Sequence, residues 1–179
     1  MARIPVFMSA PKSFLKRQEV FLKTVEKSLI SNDLRPSTLG RSEYDLSAPL
    51  EAIRRLMNGS CGLICLGFRR TYIEKGTDRP NSDLGEMEII KDDSWLTSTY
   101  CQIEPAMAYQ IGIPVLLWRE SGVADDGVFD RGAAGLSMPQ FDLDKPPDLK
   151  TDQWRQPLRE WIDQVREVYR KRGSPPRQW

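Results

Sequence analysis

Apolar residues recur along this 179-residue chain with two periods, and the periods alternate. IPVFMS (residues 4–9) is a short unbroken apolar run and predicts a strand. Behind it, Phe14, Phe21, Leu22, Val25 and Leu29 return every few positions with charges between them, the spacing of an amphipathic helix. LRPSTL (34–39) predicts a second strand, and Pro36, which cannot donate to a ladder, places it at a sheet edge. Ser47 as cap and Pro49 in the first turn open a second helix, with Leu50, Ile53, Leu56 and Met57 on one face and Gly59 as its end. CGLICLGF (61–68) is apolar throughout, as expected of a parallel strand covered on both faces.

A polar stretch without periodicity follows at 69–97, with Gly, Pro, Asn and Asp scattered through it, and reads as a long loop or lid. STYCQIEPAMAYQIGIPVLLW (98–118) then predicts a third helix, stopped by Gly112, running into a fourth strand. A Gly-, Asp- and Pro-rich loop (121–150) is expected to hold a short fifth strand near 135–138. The last element is a long helix at about 152–171, with Trp154, Leu158, Trp161, Ile162, Val165 and Tyr169 on its apolar side. Its aromatic stripe reads as core or interface.

Strand alternating with helix predicts an α/β fold: a flavodoxin-like three-layer sandwich, with a mostly parallel sheet of about five strands in the order 2-1-3-4-5. Residues 1–179 are expected to form one domain. Ligands in such sheets bind at the carboxyl ends of the strands, at the switch between strands one and three. That rule selects the loops at 9–14 and 68–72 and the start of the third helix.

Charge narrows the partners. Twenty-six basic residues against 25 acidic ones imply no polyelectrolyte partner, so nucleic acid is disfavoured. No run approaches the roughly 20 apolar residues that span a bilayer, and the first residues are too short an apolar run for a secretory signal. Cys61, Cys65 and Cys101 give neither a disulfide framework nor a CxxC pair, so a cytoplasmic location is expected. Cys61 and Cys65, four apart, are expected on the same side of their strand as small buried hydrophobes, with Cys101 packing near a helix start. Histidine is absent, which excludes a Ser-His-Asp triad, a Cys-His dyad and histidine-ligated zinc. Acid–base work falls to carboxylates, lysine, tyrosine or water.

Glu104 stands out among apolar neighbours. It shares a helical face with Ala108 and Ile111, while Ile103, Met107 and Ile111 line an adjacent apolar one, so it is expected at the margin of a buried face. Pro105 directly behind it requires the helix to start near Gln102 or to bend there. Two readings stay open: a first-turn glutamate favoured by the helix dipole, or a carboxylate aimed into a cleft. SAPKSF (9–14) offers backbone N–H groups and Lys12 to a phosphate, or is an ordinary connection capped by Ser9 or Ser13. Arg69 and Arg70 leave the third strand at its functional end, either to grip a diphosphate or as a solvated pair. Arg41, Glu43 and Asp45 in the loop after strand two are within reach of a ribose, or are simply surface charges.

STYCQIE (98–104) resembles the S-x-W-C-x-x-E signature of TIR domains, with Tyr100 in the tryptophan position. EPAMAYQIGIPV (104–115) is similar to the E-x-x-x-A-x-x-x-G-x-P-V run of nucleoside 2-deoxyribosyltransferases and related nucleotide N-glycosidases, with Pro105 where these families usually carry leucine or another helix former. VFMSAPKSF and MNGSCGLICLGF resemble the first strand and loop, and the third strand, of both groups. The resemblance implies cleavage of an N-glycosidic bond on a nucleotide: an NAD glycohydrolase or cyclase of a bacterial antiviral defence or signalling system. NAD is then a substrate, with no cofactor and no metal. It makes Glu104 the catalytic carboxylate. With the loop readings above, it assigns Ser9, Ala10, Pro11, Lys12, Phe14, Asp45, Arg69, Arg70, Ser98 and Tyr100 to substrate binding. It also implies a homo-oligomer or an assembly with a sensor protein. The alternatives are a nucleoside 2-deoxyribosyltransferase or nucleotide N-glycosidase, and a non-catalytic nucleotide-sensing or assembly module. Glycosidic cleavage builds an oxocarbenium-like sugar that a carboxylate stabilises or captures, so the absence of histidine is no obstacle.

Overall fold

In the computed structural model, residues 3–39, 48–130 and 138–172 are described. Their elements run β1 (Ile4–Ser9), α1 (Lys16–Ser31), β2 (Leu34–Ser37), α2 (Pro49–Asn58) and β3 (Leu63–Gly67). Four short strands follow, β4 (Thr71–Ile73), β5 (Thr77–Asp78), β6 (Ile89–Ile90) and β7 (Ser94–Leu96). Then come α3 (Tyr100–Gln110), β8 (Val115–Glu120), a 3-10 turn (Gly127–Phe129), β9 (Gln140–Phe141) and α4 (Asp152–Arg170).

The central sheet has the order β2-β1-β3-β8-β9 and is parallel throughout, the flavodoxin-type arrangement that the alternation predicts. Alternate strand residues feed two cores. Val6, Met8, Ile64, Leu66, Leu116 and Trp118 meet α1 and α4 on one face. Phe7, Leu63, Cys65 and Leu117 meet α2, α3 and Phe129 on the other. On the first face Trp154 stands edge-on to Trp118, with centroids 5.1 Å apart. Trp161 packs beside it and donates its Nε1–H to the Pro114 carbonyl at 3.1 Å. Pro36 lies opposite Val6 on the edge strand, where its missing N–H disturbs no second ladder.

The polar stretch after β3 is not a structureless loop. β4 pairs antiparallel with β7 and β5 with β6, making a two-stranded arm. β-prone residues at both ends of the stretch drive this: Tyr72 faces Trp95 across the ladder, with ring centroids 4.9 Å apart. Trp95 also roots the arm on the body, its N–H donating to the Gly122 carbonyl and its carbonyl accepting from Ala124.

Three smaller expectations are corrected, and a fourth falls largely outside the described residues. That fourth is the strand expected near 135–138, of which 135–137 are not described; a fifth strand forms among the described residues at Gln140–Phe141. It lies beyond Pro139, whose carbonyl accepts from the Arg119 N–H where β8 ends. Ala48, not Ser47, occupies the cap position of α2, with Pro49 as its first helical residue; Ser47 lies outside the described residues. Leu50 is 52% exposed, so the buried face of α2 is Ala52, Ile53 and Met57. Cys61 packs on the α1/α4 side while Cys65 faces α3, because the strand starts only at Leu63 and two-residue alternation does not extend back to Cys61. All three cysteines are buried free thiols.

Candidate functional site

β1 ends on Ser9, paired in register with Cys65 of β3 and pointing to the α3 side of the sheet. α3 lies across this end of the sheet and buries Cys101, Glu104, Pro105 and Ala108. Glu104 is therefore in the middle of the buried stripe, not at its margin as the sequence spacing suggested. The face expected beside it is more open: Ile111 is 45% exposed.

The helix begins at Tyr100, so Pro105 sits inside it and removes the donor that the Cys101 carbonyl would otherwise receive. Cys65 supplies a substitute: its Sγ–H donates to that carbonyl at 3.7 Å. The start of α3 is further fixed by Ser98, whose Oγ accepts the Tyr100 N–H at 3.3 Å.

Glu104 is 8% exposed, and the Ser9 hydroxyl donates a short hydrogen bond to its Oε2. Ser9 Oγ also lies 3.9 Å from Cys101 Sγ, completing a buried group of four side chains with Cys65. Burial raises the Glu104 carboxyl from 4.5 to about 7, against the opposing effect of the Ser9 bond. The same surroundings push the Cys65 thiol well up, burial first and the Cys101 side chain next, so it is no thiolate nucleophile. Among the described residues no group of three or more potential metal ligands is assembled.

The other sequence candidates fall into four groups. Lys12, Arg70 and Tyr100 are exposed, and Phe14 is 56% exposed, so all four side chains are open to a ligand at the strand ends. Ala10 packs against the α1/α4 core and Pro11 is buried, so they shape the loop. The loop's backbone is partly used: the Phe14 and Leu15 N–H groups both donate to Gln18 Oε1, at 3.1 and 3.3 Å. Leu15, rather than Ser9 or Ser13, holds the cap position of α1.

Arg69 is engaged by the body. Its Nε donates to the Ser121 carbonyl at 2.6 Å, its N–H donates to Glu120 Oε2 at 2.8 Å, and its guanidinium lies over the Trp95 ring at 5.8 Å. Burial pushes the Glu120 carboxyl up, opposed by these Arg69 contacts. Asp45, with Arg41 and Glu43, lies outside the described residues.

Sequence reasoning missed two residues. Gln18, fully buried, closes the β1–α1 loop and donates to the Arg69 carbonyl at 3.0 Å, tying the loops after β1 and β3 together. Its signal was there: a glutamine three residues after a cap position is half of a capping box. Arg119 of β8, in register with Gly67, is 4% exposed and lies on the α3 side. Its Nη1 is 3.0 Å from Asp125 Oδ1, but among the described residues neither Nη1 nor Nε has a hydrogen-bond partner, so this contact is an ion pair without hydrogen-bond alignment. Phe129 covers Gly67 closely: a Cβ there would stand 2.7 Å from its ring. The 125–129 segment is joined to α3 by Gln102, which donates to Asp126 Oδ1 at 3.1 Å and accepts the Val128 N–H at 2.9 Å.

Two cavities, of about 410 and 750 Å³, lie against α4, away from Glu104. The larger is a basic groove holding Lys27, Lys150, Arg155 and Arg159.

No protein-family model matches the chain, and no curated protein matches it significantly. Among solved structures it is similar to the TIR domains of the activated Roq1 resistosome directly recognizing the pathogen effector XopQ, with 11% identity over 93% of this chain and 84% of that one, at a TM-score of 0.42. It is also similar to a 2-desoxiribosyltransferase from Leishmania mexicana, with 13% identity over 89% of this chain and 97% of that one, at a TM-score of 0.41. At such identities no residue role passes across from either protein; the roles rest on the geometry above.

Proposed function

We propose that this chain cleaves the N-glycosidic bond of a nucleotide, with NAD as first substrate and Glu104 as the catalytic carboxylate. The reading is carried by the Ser9–Glu104 pair: a carboxylate buried at the carboxyl end of β1 and held by a hydroxyl rather than by a cation. A hydroxyl orients a carboxylate without neutralising it. With its pKa at about 7, Glu104 is available as an anion at neutral pH. As the C1′–N bond breaks, its electron pair leaves with the base and positive charge grows on the sugar. The Glu104 carboxylate stabilises that cation or bonds to C1′, and water completes the hydrolysis. Exposed Tyr100 lies one helical turn before Glu104, on the same side of α3, where its ring can flank the base. Lys12 and Arg70, both exposed in the loops after β1 and β3, supply positive charge there. A cytoplasmic defence or signalling role, exercised in an oligomer or with a sensor protein, belongs to the same proposal through the TIR-like signature at 98–104.

A second reading, a non-catalytic nucleotide-sensing or assembly module, is favoured by the same hydrogen bond, because Ser9 satisfies Glu104 internally. The discriminating experiment incubates purified protein with NAD and with a panel of deoxynucleotides and follows base release, wild type beside Glu104→Gln. Release from NAD that falls about a hundredfold or more in the variant supports the hydrolase. Release from deoxynucleotides alone identifies the transferase or N-glycosidase. No release at high protein concentration, or equal rates in both proteins, leaves the non-catalytic module.

A further inference from the structure

Among the described residues, buried side-chain polar atoms with no hydrogen-bond partner belong to four: Ser13 Oγ, Thr97 Oγ1, Trp118 Nε1, and Arg119 Nε with Nη1. Apart from Trp118, whose ring faces the α1/α4 core, they lie at one edge of the molecule. Ser13 is in the loop after β1, Thr97 in the connection from β7 to α3, and Arg119 at the carboxyl end of β8. Unsatisfied buried groups are rare in folded proteins, and their convergence on the edge where such sheets bind ligands suits that edge to a polar ligand. Arg119 is the strongest of the three: a permanent cation, 4% exposed, whose only described counter-charge is Asp125. Asp125 is a poor match, since its side chain is 53% exposed and the contact lacks hydrogen-bond alignment.

We propose that Arg119 is the anion receptor of the site and that Asp125 holds it until a substrate phosphate takes its place. The proposal rests on the nucleotide-cleaving reading and deepens it: the substrate is selected for its phosphate, and unphosphorylated nucleosides are poor ligands. Register supports the placement. Ser9 pairs with Cys65, Cys65 with Leu117, and Arg119 lies two residues further along the same face. With strands about 4.8 Å apart and about 3.3 Å of rise per residue, the Ser9 and Arg119 Cα atoms are roughly 12 Å apart. A sugar held at Glu104 with its phosphate directed toward Arg119 bridges that separation. Gln102 links Asp126 and Val128 to α3, so displacement of the neighbouring Asp125 is felt at the helix that carries Glu104.

The test is titration calorimetry of the full chain with inorganic pyrophosphate at fixed ionic strength. Wild type binds; Asp125→Asn, which removes the competing carboxylate from an exposed position, binds about three- to tenfold tighter; Arg119→Met binds at least about tenfold weaker. Arg119→Lys, which keeps the charge but not the fork, falls between them, and Arg159→Ala in the distant α4 groove matches wild type. Thermal melts of each variant identify any that fails to fold, and Asp125→Asn alone then decides. Unchanged or weaker binding in Asp125→Asn, no binding in wild type, or binding that follows Arg159 overturns the proposal. Base release measured in parallel keeps the two readings apart. Cleavage of NAD without pyrophosphate binding sinks only the Arg119 assignment, and pyrophosphate binding without cleavage sinks only the enzymatic one.

Discussion

The Cys65 thiol donates to the Cys101 carbonyl, 3.7 Å away, and that carbonyl is the one Pro105 leaves without its helical donor. A strand side chain thus repairs a break in the helix that carries Glu104. Replacing Pro105 by alanine restores an N–H to this position and relieves the cost of an interior proline, about 3 kcal/mol, against the loss of some buried ring surface. The expected outcome is a rise in stability of about 1 kcal/mol, read as a higher denaturant midpoint. Because the backbone that aims Glu104 is changed, base release slows in the same variant.

Glu104 gives stability a definite pH dependence. Its carboxyl is raised from 4.5 to about 7 in the folded chain, so the native state keeps a proton that the unfolded chain releases. Its contribution is fully present below pH 4.5 and is lost as pH rises through about 7. The loss amounts to about 3 kcal/mol. Thermal melts from pH 4.5 to 8 should show the fall in wild type and a flatter profile in Glu104→Gln. Some slope remains in the variant, since the Glu120 carboxyl is also pushed up by burial. An equal slope in both proteins would show that Glu104 is not buried as described.

Ser9 opposes the effect of burial on Glu104. Ser9→Ala removes the donor, so the Glu104 carboxyl moves further up. In a pH series of base release, the rising limb that reports ionised Glu104 should have its midpoint near pH 7 in wild type and move to higher pH in Ser9→Ala. A variant with an unshifted limb and a lower plateau would show that Ser9 acts on the substrate and not on Glu104.

Gly67 is where crowding should be felt. A Cβ would stand 2.7 Å from the Phe129 ring, which is fully buried and has little room to retreat. Gly67→Ala should cost about 1–3 kcal/mol in equilibrium unfolding. It should also disturb the 125–129 segment that presents Asp125 to Arg119.

Much of this was legible in the sequence, for reasons that differ by element. The strand order followed from alternating periods and from Pro36, which only an edge tolerates; Gly112, at φ +75°, ended α3 where expected. Glu104 was found because a carboxylate among apolar residues is conspicuous, and Pro105 marked an irregularity beside it. Its depth was misjudged, since the spacing of Ile103, Met107 and Ile111 pointed to a different buried stripe from the one that packs. The arm was hidden because its pairing joins residues about twenty apart, and the polar residues between mask the match of Tyr72 with Trp95. Arg119 was hidden more deeply: after an apolar run, the charged pair Arg119–Glu120 reads as the strand's end, and only the packed neighbours show both buried.

Trp95 holds the arm through three contacts, with Tyr72, with Arg69 and with the Gly122–Ala124 backbone. Trp95→Ala should destabilise by about 2 kcal/mol, less than a full core truncation because the ring is only half-buried. Amide exchange locates the loss: protection at β4 and β7 should fall while that of β1 and β3 is kept.

The two ends of the central sheet bear on how copies of this chain can associate. One outer strand carries Pro36 in mid-ladder, and the other is only two residues long. Neither presents the continuous row of free N–H and C=O groups that templates another chain. Strand-on-strand growth, the route to fibres, is therefore closed at both ends of the sheet. Among the described residues, ordered assembly is then left to helix faces and to the arm, whose β4–β7 and β5–β6 pairs are each only two strands wide.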